Sequence, residues 1–306
     1  KIQYGKINKV LRSSAQRVTS RCPVVACGGC VLREFSHQGE IAFKEQRVHD
    51  TLQRIGGIDS QSYSSDFFTS AEEWRYRHRV RLHTRWSGRS WNLGFYEKGS
   101  HNLVNYSGCS VLWPELEKAV SKLAEGIHQL PYQARIKEIR LAYSRKDKRS
   151  AASFEVDGAI EVFRKDLSWL NVSMLGGAEV VNKTQRFRFG NLELNYDHKH
   201  RDEFDLRFEP ELFTQANPEV NDALIESVLG AIMPQRGLSI LELHSGIGNF
   251  SIPLARAGAS VVCYEAHRRA SMLAVRNARL AGVDITNHAL ADTEVLGDTN
   301  HFDVLL

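Results

Sequence analysis

Three cysteines stand within nine residues in the stretch CPVVACGGC at 22–30. Cysteine at that density is a metal-ligand signal, because thiolate sulfur binds zinc and iron–sulfur clusters. Cys22, Cys27 and Cys30 still leave a four-ligand site one sulfur short, and only Cys109 and Cys263 remain elsewhere in the chain. Gly28 and Gly29, lacking Cβ, let the chain wrap a bulky group and leave backbone N–H groups free to bond it.

A second stretch, ILELHSGIGNFSIPLA at 240–255, reads as strand, glycine turn and helix. Gly246 and Gly248 allow a ligand close to the backbone. The third position of the dinucleotide fingerprint is Ser251 rather than glycine, and the loop holds no lysine, so a pyrophosphate cradle is disfavoured. The shorter pattern from Glu242 to Gly248 suits S-adenosylmethionine, whose sulfonium and amino acid need contact but no phosphate binding. Seventeen residues beyond Gly248, Glu265 ends the next strand, where a carboxylate can take both ribose hydroxyls. Asp292 follows the third strand and is placed to reach an adenine edge. A nicotinamide or flavin enzyme and a plain α/β domain remain the alternatives to a methyltransferase.

The third stretch is WRYRHRVRLH at 74–83. Arg75, Arg77, Arg79, Arg81 and Arg85 share one parity, opposed by Tyr76, His78, Val80 and Leu82, so a strand here projects its arginines from one face. Six arginines and no acid lie between 75 and 90, with Tyr76 and Trp86 among them and Trp91 directly after. That mixture favours a phosphate-tracking, base-stacking surface for RNA over a merely solvated face. His78 and His83 read as strand or surface residues rather than metal ligands. Cys263, inside an apolar strand, reads as a buried inert thiol.

The elements that must position these residues fall into three blocks. Residues 1–20 alternate weakly, like the last strands of a small β module. Residues 21–205 form a central α+β block: a helix from about Gln38 to Ile55 stopped by Gly56-Gly57, and strands from 74 to 111. It continues with a helix at 115–129 and strands at 135–144, 151–157 and 159–163, the last two joined at Asp157-Gly158, then more alternation at 185–197. From 206 to 306 strands and helices alternate, which means a parallel, doubly wound sheet. The helix at 38–57 is expected to pack on this last domain.

Bulk properties bound the rest. The 306 residues are 42% hydrophobic and 25% charged with net charge +4, an ordinary globular composition too balanced to diagnose nucleic-acid binding by itself. No apolar run is long enough to span a membrane, and the first residues lack the apolar core of a secretory signal. An odd count of five cysteines without an export signal points to reduced thiols in the cytoplasm. The chain starts at Lys1 rather than Met, so an earlier natural start is expected.

In their order along the chain, CPVVACGGCVL, KEQRV, WRYRHRVRLH, LGFYEKGSHNLV, CSVLWPEL, ELFTQANPEV and LELHSGIGNFSIPLA resemble the iron–sulfur RNA 5-methyluridine (uracil-C5) methyltransferases of the 23S rRNA type. The resemblance covers nearly the whole sequence through several independent motifs. It implies a partial Rossmann-like S-adenosylmethionine methyltransferase domain, its parallel sheet cut after strand 4. Beside it the resemblance implies an α+β central domain carrying a four-cysteine cluster, and the tail of a TRAM-like β-barrel. It assigns Cys22, Cys27, Cys30 and Cys109 to a [4Fe–4S] cluster; a four-cysteine zinc site has the same ligand count but favours paired Cys-x-x-Cys knuckles.

It also matches Gln215, His244, Asn249, Glu265 and Asp292 to S-adenosylmethionine contacts, beside the Gly246 and Gly248 that the loop pattern supplies; Arg75, Arg77, Arg79 and Arg81 are the RNA contacts that the strand's own parity and charge predict. Where the family carries Asp, an aromatic residue and Cys, this chain has Glu242, His244 and Ser245. The implied activity is methylation of uridine C5 in RNA, 23S rRNA before tRNA, by a cytoplasmic monomer. Uracil C5 is a poor nucleophile, and the resembling enzymes activate it by adding a cysteine thiolate to C6. Their nucleophile and general base follow the fourth strand of the cofactor domain, so the catalytic residues are expected beyond Leu306. A degenerate member that binds RNA without methylating it is the competing expectation.

Overall fold

The computed structural model describes residues 8–63, 67–165, 175–199, 203–290 and 301–306. Helix α1 (His37–Arg54) begins where the Ser36 hydroxyl accepts the Gly39 N–H, a side-chain cap for one of the free amides of the first turn. Its apolar residues are poorly covered: Phe43 is 42% exposed and Val48 46% exposed. Across one cavity, His37, Ile41 and Lys44 of α1 face Val220 of α4 (Pro218–Ile232) in the C-terminal domain.

The central domain is a seven-stranded sheet in the order β3-β2-β1-β4-β5-β6-β7. Its strands are β1 (Arg79–Trp86), β2 (Trp91–Tyr96), β3 (Leu103–Asn105), β4 (Ile136–Ser144), β5 (Arg149–Val156), β6 (Leu175–Val181) and β7 (Arg186–Gly190). Every pairing is antiparallel except β5 with β6. Alternation decides the faces. Val80 and Leu82 of β1, Ile139 and Leu141 of β4 and Phe154 of β5 point into the core, where Leu116, Val120 and Leu123 of helix α2 (Pro114–Gly126) cover them.

Two sequence expectations change here. The segment after Asp157-Gly158 is the short helix α3 (Glu161–Lys165), and the hairpin of this region is β4–β5. Gly158 serves close approach instead of a turn: a Cβ there would lie 2.2 Å from the Gln133 carbonyl oxygen. The TRAM-like tail is not formed among residues 8–20. These residues hold only an isolated bridge from Arg17 to Phe35, and Val10 and Leu11 are exposed without a sheet neighbour; residues 1–7 lie outside the described residues.

Strands β8 (Leu194–Asn195) and β9 (Arg207–Phe208) pair with each other and lead into the C-terminal domain. There β10 (Ser239–Leu243), β11 (Ser260–Tyr264), β12 (Thr286–His288) and β13 (Val304–Leu305) form a parallel sheet ordered β12-β11-β10-β13. Helices α5 (Ser251–Arg256) and α6 (Arg268–Leu280) are the crossovers. The two domains share one apolar cluster: Tyr196, Phe208 and Leu212 pack with Ile247, Ile252 and Leu273. Beside it, Glu179, only 1% exposed, receives Arg186 and Arg188 from β7 and Arg269 from the first turn of α6. Burial pushes the nearby Glu211 carboxyl up while Arg186 and Arg269 hold it. Among the described residues no helix is long and apolar enough to cross a membrane.

Candidate functional site

The glycine loop leaves β10 from a buried position, Ile240 being 0% exposed. It turns through three left-handed backbone geometries at alternating residues: His244 (φ 57°), Gly246 (φ 58°) and Gly248 (φ 94°). At Gly248 a Cβ would also sit 2.8 Å from the Ile252 side chain. At Gly246 it would meet nothing within 4 Å, so this Cα borders open space from which a ligand can approach the main chain.

Glu265, at the end of β11, closes the loop. One carboxylate oxygen accepts the Gly246 N–H at 2.9 Å and the other accepts the His267 N–H at 2.7 Å, at the start of α6. A carboxylate has about four acceptor directions, so acceptors remain for hydroxyl donors such as those of a ribose. Asn249 is fixed by a reciprocal amide pair with buried Asn221 of α4, each Nδ2 donating to the other Oδ1 at 2.9 Å. Gln215 lies on the segment between the domains, its carbonyl accepting from His78 Nε2 and the Tyr196 hydroxyl. Asp292 lies outside the described residues.

Beneath the loop, Glu242 is 2% exposed and bonds Ser251, whose hydroxyl also accepts from the Cys263 thiol at 3.1 Å. Burial pushes the Glu242 carboxyl up to about 7, and the charge of Glu265 adds to this. Burial likewise pushes the Cys263 thiol up to about 12, so it is no nucleophile at neutral pH.

Asn277 is a site residue that motif reasoning missed. Fully buried on α6, it donates to the Ile247 and Arg207 carbonyls at 3.0 and 2.9 Å and accepts the Arg207 N–H at 2.9 Å. It thereby fixes the glycine loop to β9. The signal was present: a lone amide within the apolar stripe formed by Leu273, Ala274, Ala278 and Ala281.

The arginines divide. Arg75, at φ 57°, and Arg77 precede β1 and are exposed, Arg77 turning its Nε onto the Arg79 carbonyl. Arg81 projects from β1 but pairs with buried Glu138. Arg79 folds back onto the segment at 210–214.

The cysteine expectation is corrected. Cys22, Cys27, Cys30 and Cys109 all border one cavity of about 180 Å³. Yet among the described residues no group of three or more His, Cys, Asp or Glu side chains comes together in a way that could hold a metal ion. The [4Fe–4S] cluster, the four-cysteine element of the fold and the zinc alternative fall together. Burial raises the thiols of Cys30 and Cys109, and the neighbouring Cys27 and Cys22 add to the rise at Cys30. The Cys27 sulfur instead accepts the Gly29 N–H at 3.4 Å.

A parallel sheet with a glycine turn after its first strand and a carboxylate after its second defines an S-adenosylmethionine methyltransferase-like α/β fold, here joined to an extra sheet. The architecture is similar to that of the crystal structure of the Pyrococcus abyssi tRNA (uracil-54, C5)-methyltransferase in complex with S-adenosyl-L-homocysteine. The match has TM-score 0.73 at 22% identity and covers 97% of this chain and 70% of that one. Residues 162–297 match the tRNA (Uracil-5-)-methyltransferase family. The 23S rRNA (uracil(1939)-C(5))-methyltransferase RlmD of Methylococcus capsulatus is 31% identical over 304 residues, 94% of this chain and 66% of that protein. RlmD of Dichelobacter nodosus is 31% identical over 263 residues, 86% of this chain and 60% of that protein. The chain therefore spans 60–66% of the length of these relatives. It belongs to the S-adenosylmethionine-dependent uracil-C5 RNA methyltransferase family.

Proposed function

We propose that this protein methylates uridine C5 in RNA, with a 23S rRNA uridine as the substrate class, using S-adenosylmethionine bound at the glycine loop. The observation that carries the proposal is the joint placement of Gly246, open to a ligand, and Glu265, whose carboxylate braces that same glycine. S-adenosylmethionine would supply an electrophilic methyl group. Glu265 accepts from the ribose hydroxyls, Gly246 and Gly248 give main-chain access, and Gln215, His244 and Asn249 complete the wall, with Asp292 at the adenine. Arg75 and Arg77, exposed and without an acidic partner among the ion pairs described, and Arg81, exposed but paired with Glu138, are the arginines of this set left to meet RNA phosphates. The RlmD relatives named above support rRNA over tRNA, and an RNA substrate fits a cytoplasmic monomer.

The test is incubation of the full-length protein with a 23S rRNA transcript and methyl-labelled S-adenosylmethionine, followed by nucleoside mass spectrometry. The expected product is 5-methyluridine. Label on another base, or cofactor binding with no label in RNA, contradicts the proposal, and the second result favours the non-catalytic RNA-binding alternative.

A further inference from the structure

The segment at 210–216 carries Gln215 between the two domains and has no strand or helix of its own. Two adjacent residues at the start of β1 grip it. Arg79 Nη1 donates to the Leu212 carbonyl at 2.6 Å and to the Thr214 hydroxyl at 3.1 Å, and Nη2 reaches the Pro210 carbonyl at 3.4 Å. The His78 main-chain N–H donates to the Ala216 carbonyl at 3.2 Å. His78 Nε2 lies 3.0 Å from the Gln215 carbonyl oxygen, which also accepts the Tyr196 hydroxyl at 3.1 Å. A carbonyl carries no proton, so Nε2 is the donor.

His78 is 1% exposed, with the rings of Trp113, Tyr196 and Phe208 around it. Burial, with the charge of Arg79, pushes its imidazole down to about 3, so the bond to Gln215 does not titrate near neutrality. An arginine that meets RNA phosphates keeps its donors toward solvent. Arg79 instead spends them on oxygens of its own chain.

We propose that His78 and Arg79 are positioning residues which fix the main chain of 210–216, so that Gln215 is held in place before any ligand arrives. The benefit to catalysis rests on Gln215 belonging to the cofactor site, as proposed above; the clamp itself does not. Preorganising a binding segment removes the ordering cost from the binding step. Arg79 thereby leaves the set of RNA-contacting arginines.

The experiment compares wild type, Arg79→Lys, Arg79→Ala, His78→Leu and His78→Gln in the full-length protein. It reads amide hydrogen exchange at 212–216, affinity for S-adenosylhomocysteine and the salt dependence of RNA binding. Arg79→Lys keeps the charge but cannot span the Pro210, Leu212 and Thr214 oxygens together. Exchange at 212–216 is expected to rise about tenfold or more, the factor set by losing a hydrogen bond to a charged group. The slope of log affinity against log salt stays unchanged.

His78→Leu should raise exchange at 215–216, while His78→Gln, whose side-chain amide can donate to the same carbonyl, should restore much of the protection. Unchanged exchange in both Arg79→Lys and His78→Leu overturns the proposal. So does a salt slope that falls by about one in Arg79→Ala, which would return this arginine to a phosphate. A wild type that binds no S-adenosylhomocysteine, with exchange responding as expected, leaves the clamp standing and sinks the cofactor reading alone.

Discussion

The loop around Gly246 and the segment around Cys27 are both glycine-containing turns beside a sheet, and they are held in opposite ways. The first leaves a buried parallel strand, is fixed by carboxylate bonds from Glu265, and is fastened underneath by the Asn277 amide. The second has no strand or helix between 22 and 30. It rests on the Gly28 N–H to the Tyr96 carbonyl, on a bridge from Cys27 to Glu97, and on the Arg33 guanidinium against the Val24 and Cys27 carbonyls. A site that must be accurate before its ligand arrives is built from buried side-chain atoms bonded to main chain. The glycine loop has that support in the fully buried Asn277 beneath it, whereas the cysteine segment is held by one half-buried guanidinium and by main-chain links to Tyr96 and Glu97.

The largest effect expected from this difference is at Glu242. Its folded carboxyl titrates near 7 against 4.5 in the unfolded chain, so the folded state binds more protons between those values. This contribution is complete below about pH 4.5 and is lost as pH rises through about 7, a fall of about 3 kcal/mol. Denaturant melts from pH 4 to 8 should show it, and Glu242→Gln should flatten the curve. An equal slope in the variant would remove Glu242 from the explanation.

Next is Asn277→Ala. It leaves the Ile247 and Arg207 carbonyls and the Arg207 N–H without their partner, at about 2–3 kcal/mol in stability. Exchange at the glycine loop should accelerate with it. Glu265→Ala should weaken S-adenosylhomocysteine binding by roughly ten- to hundredfold, the scale of about 1.5–3 kcal/mol for bonds to a charged group. Calorimetric titration reads this directly, and Glu265→Gln, which keeps one acceptor oxygen, should lose less.

The smallest effect is expected at the cysteines. Cys22→Ser, at a half-buried place on the cavity wall, should change stability by about 1 kcal/mol or less, and chelator should leave the melting temperature unchanged. Stoichiometric iron in anaerobically purified protein would collapse the contrast between the two regions.

What the sequence made legible follows from the range of the forces involved. The glycine turn, its strand and its helix are local, and Ile240, Gly246, Gly248 and Glu265 announce them by spacing alone. Parity likewise separates Val80 and Leu82 from Arg81 and Arg85. Long-range partners left no such mark. Asp157-Gly158 looks like a hairpin turn, but that glycine answers to the backbone at Gln133, far earlier in the chain. Strand β6 begins Leu-Gly-Gly and carries little strand signal, because Gly177 is needed where Asn191 comes close. Arg79 has the same parity as its neighbours, and only folding shows that its guanidinium turns inward to Leu212 and Thr214. The spacing brought Cys22, Cys27 and Cys30 together and the family resemblance added Cys109 at the same cavity, but neither showed how the sulfurs sit within it.

The most direct measurement of the central claim uses 23S rRNA labelled with tritium at uridine C5. Replacing the C5 hydrogen by a methyl group must release that tritium to water. The full-length protein is predicted to release it only when S-adenosylmethionine is present, with 5-methyluridine formed in equal amount and both lost in Glu265→Ala at limiting cofactor. Methyl incorporation without tritium release would place the reaction at another atom and contradict the account.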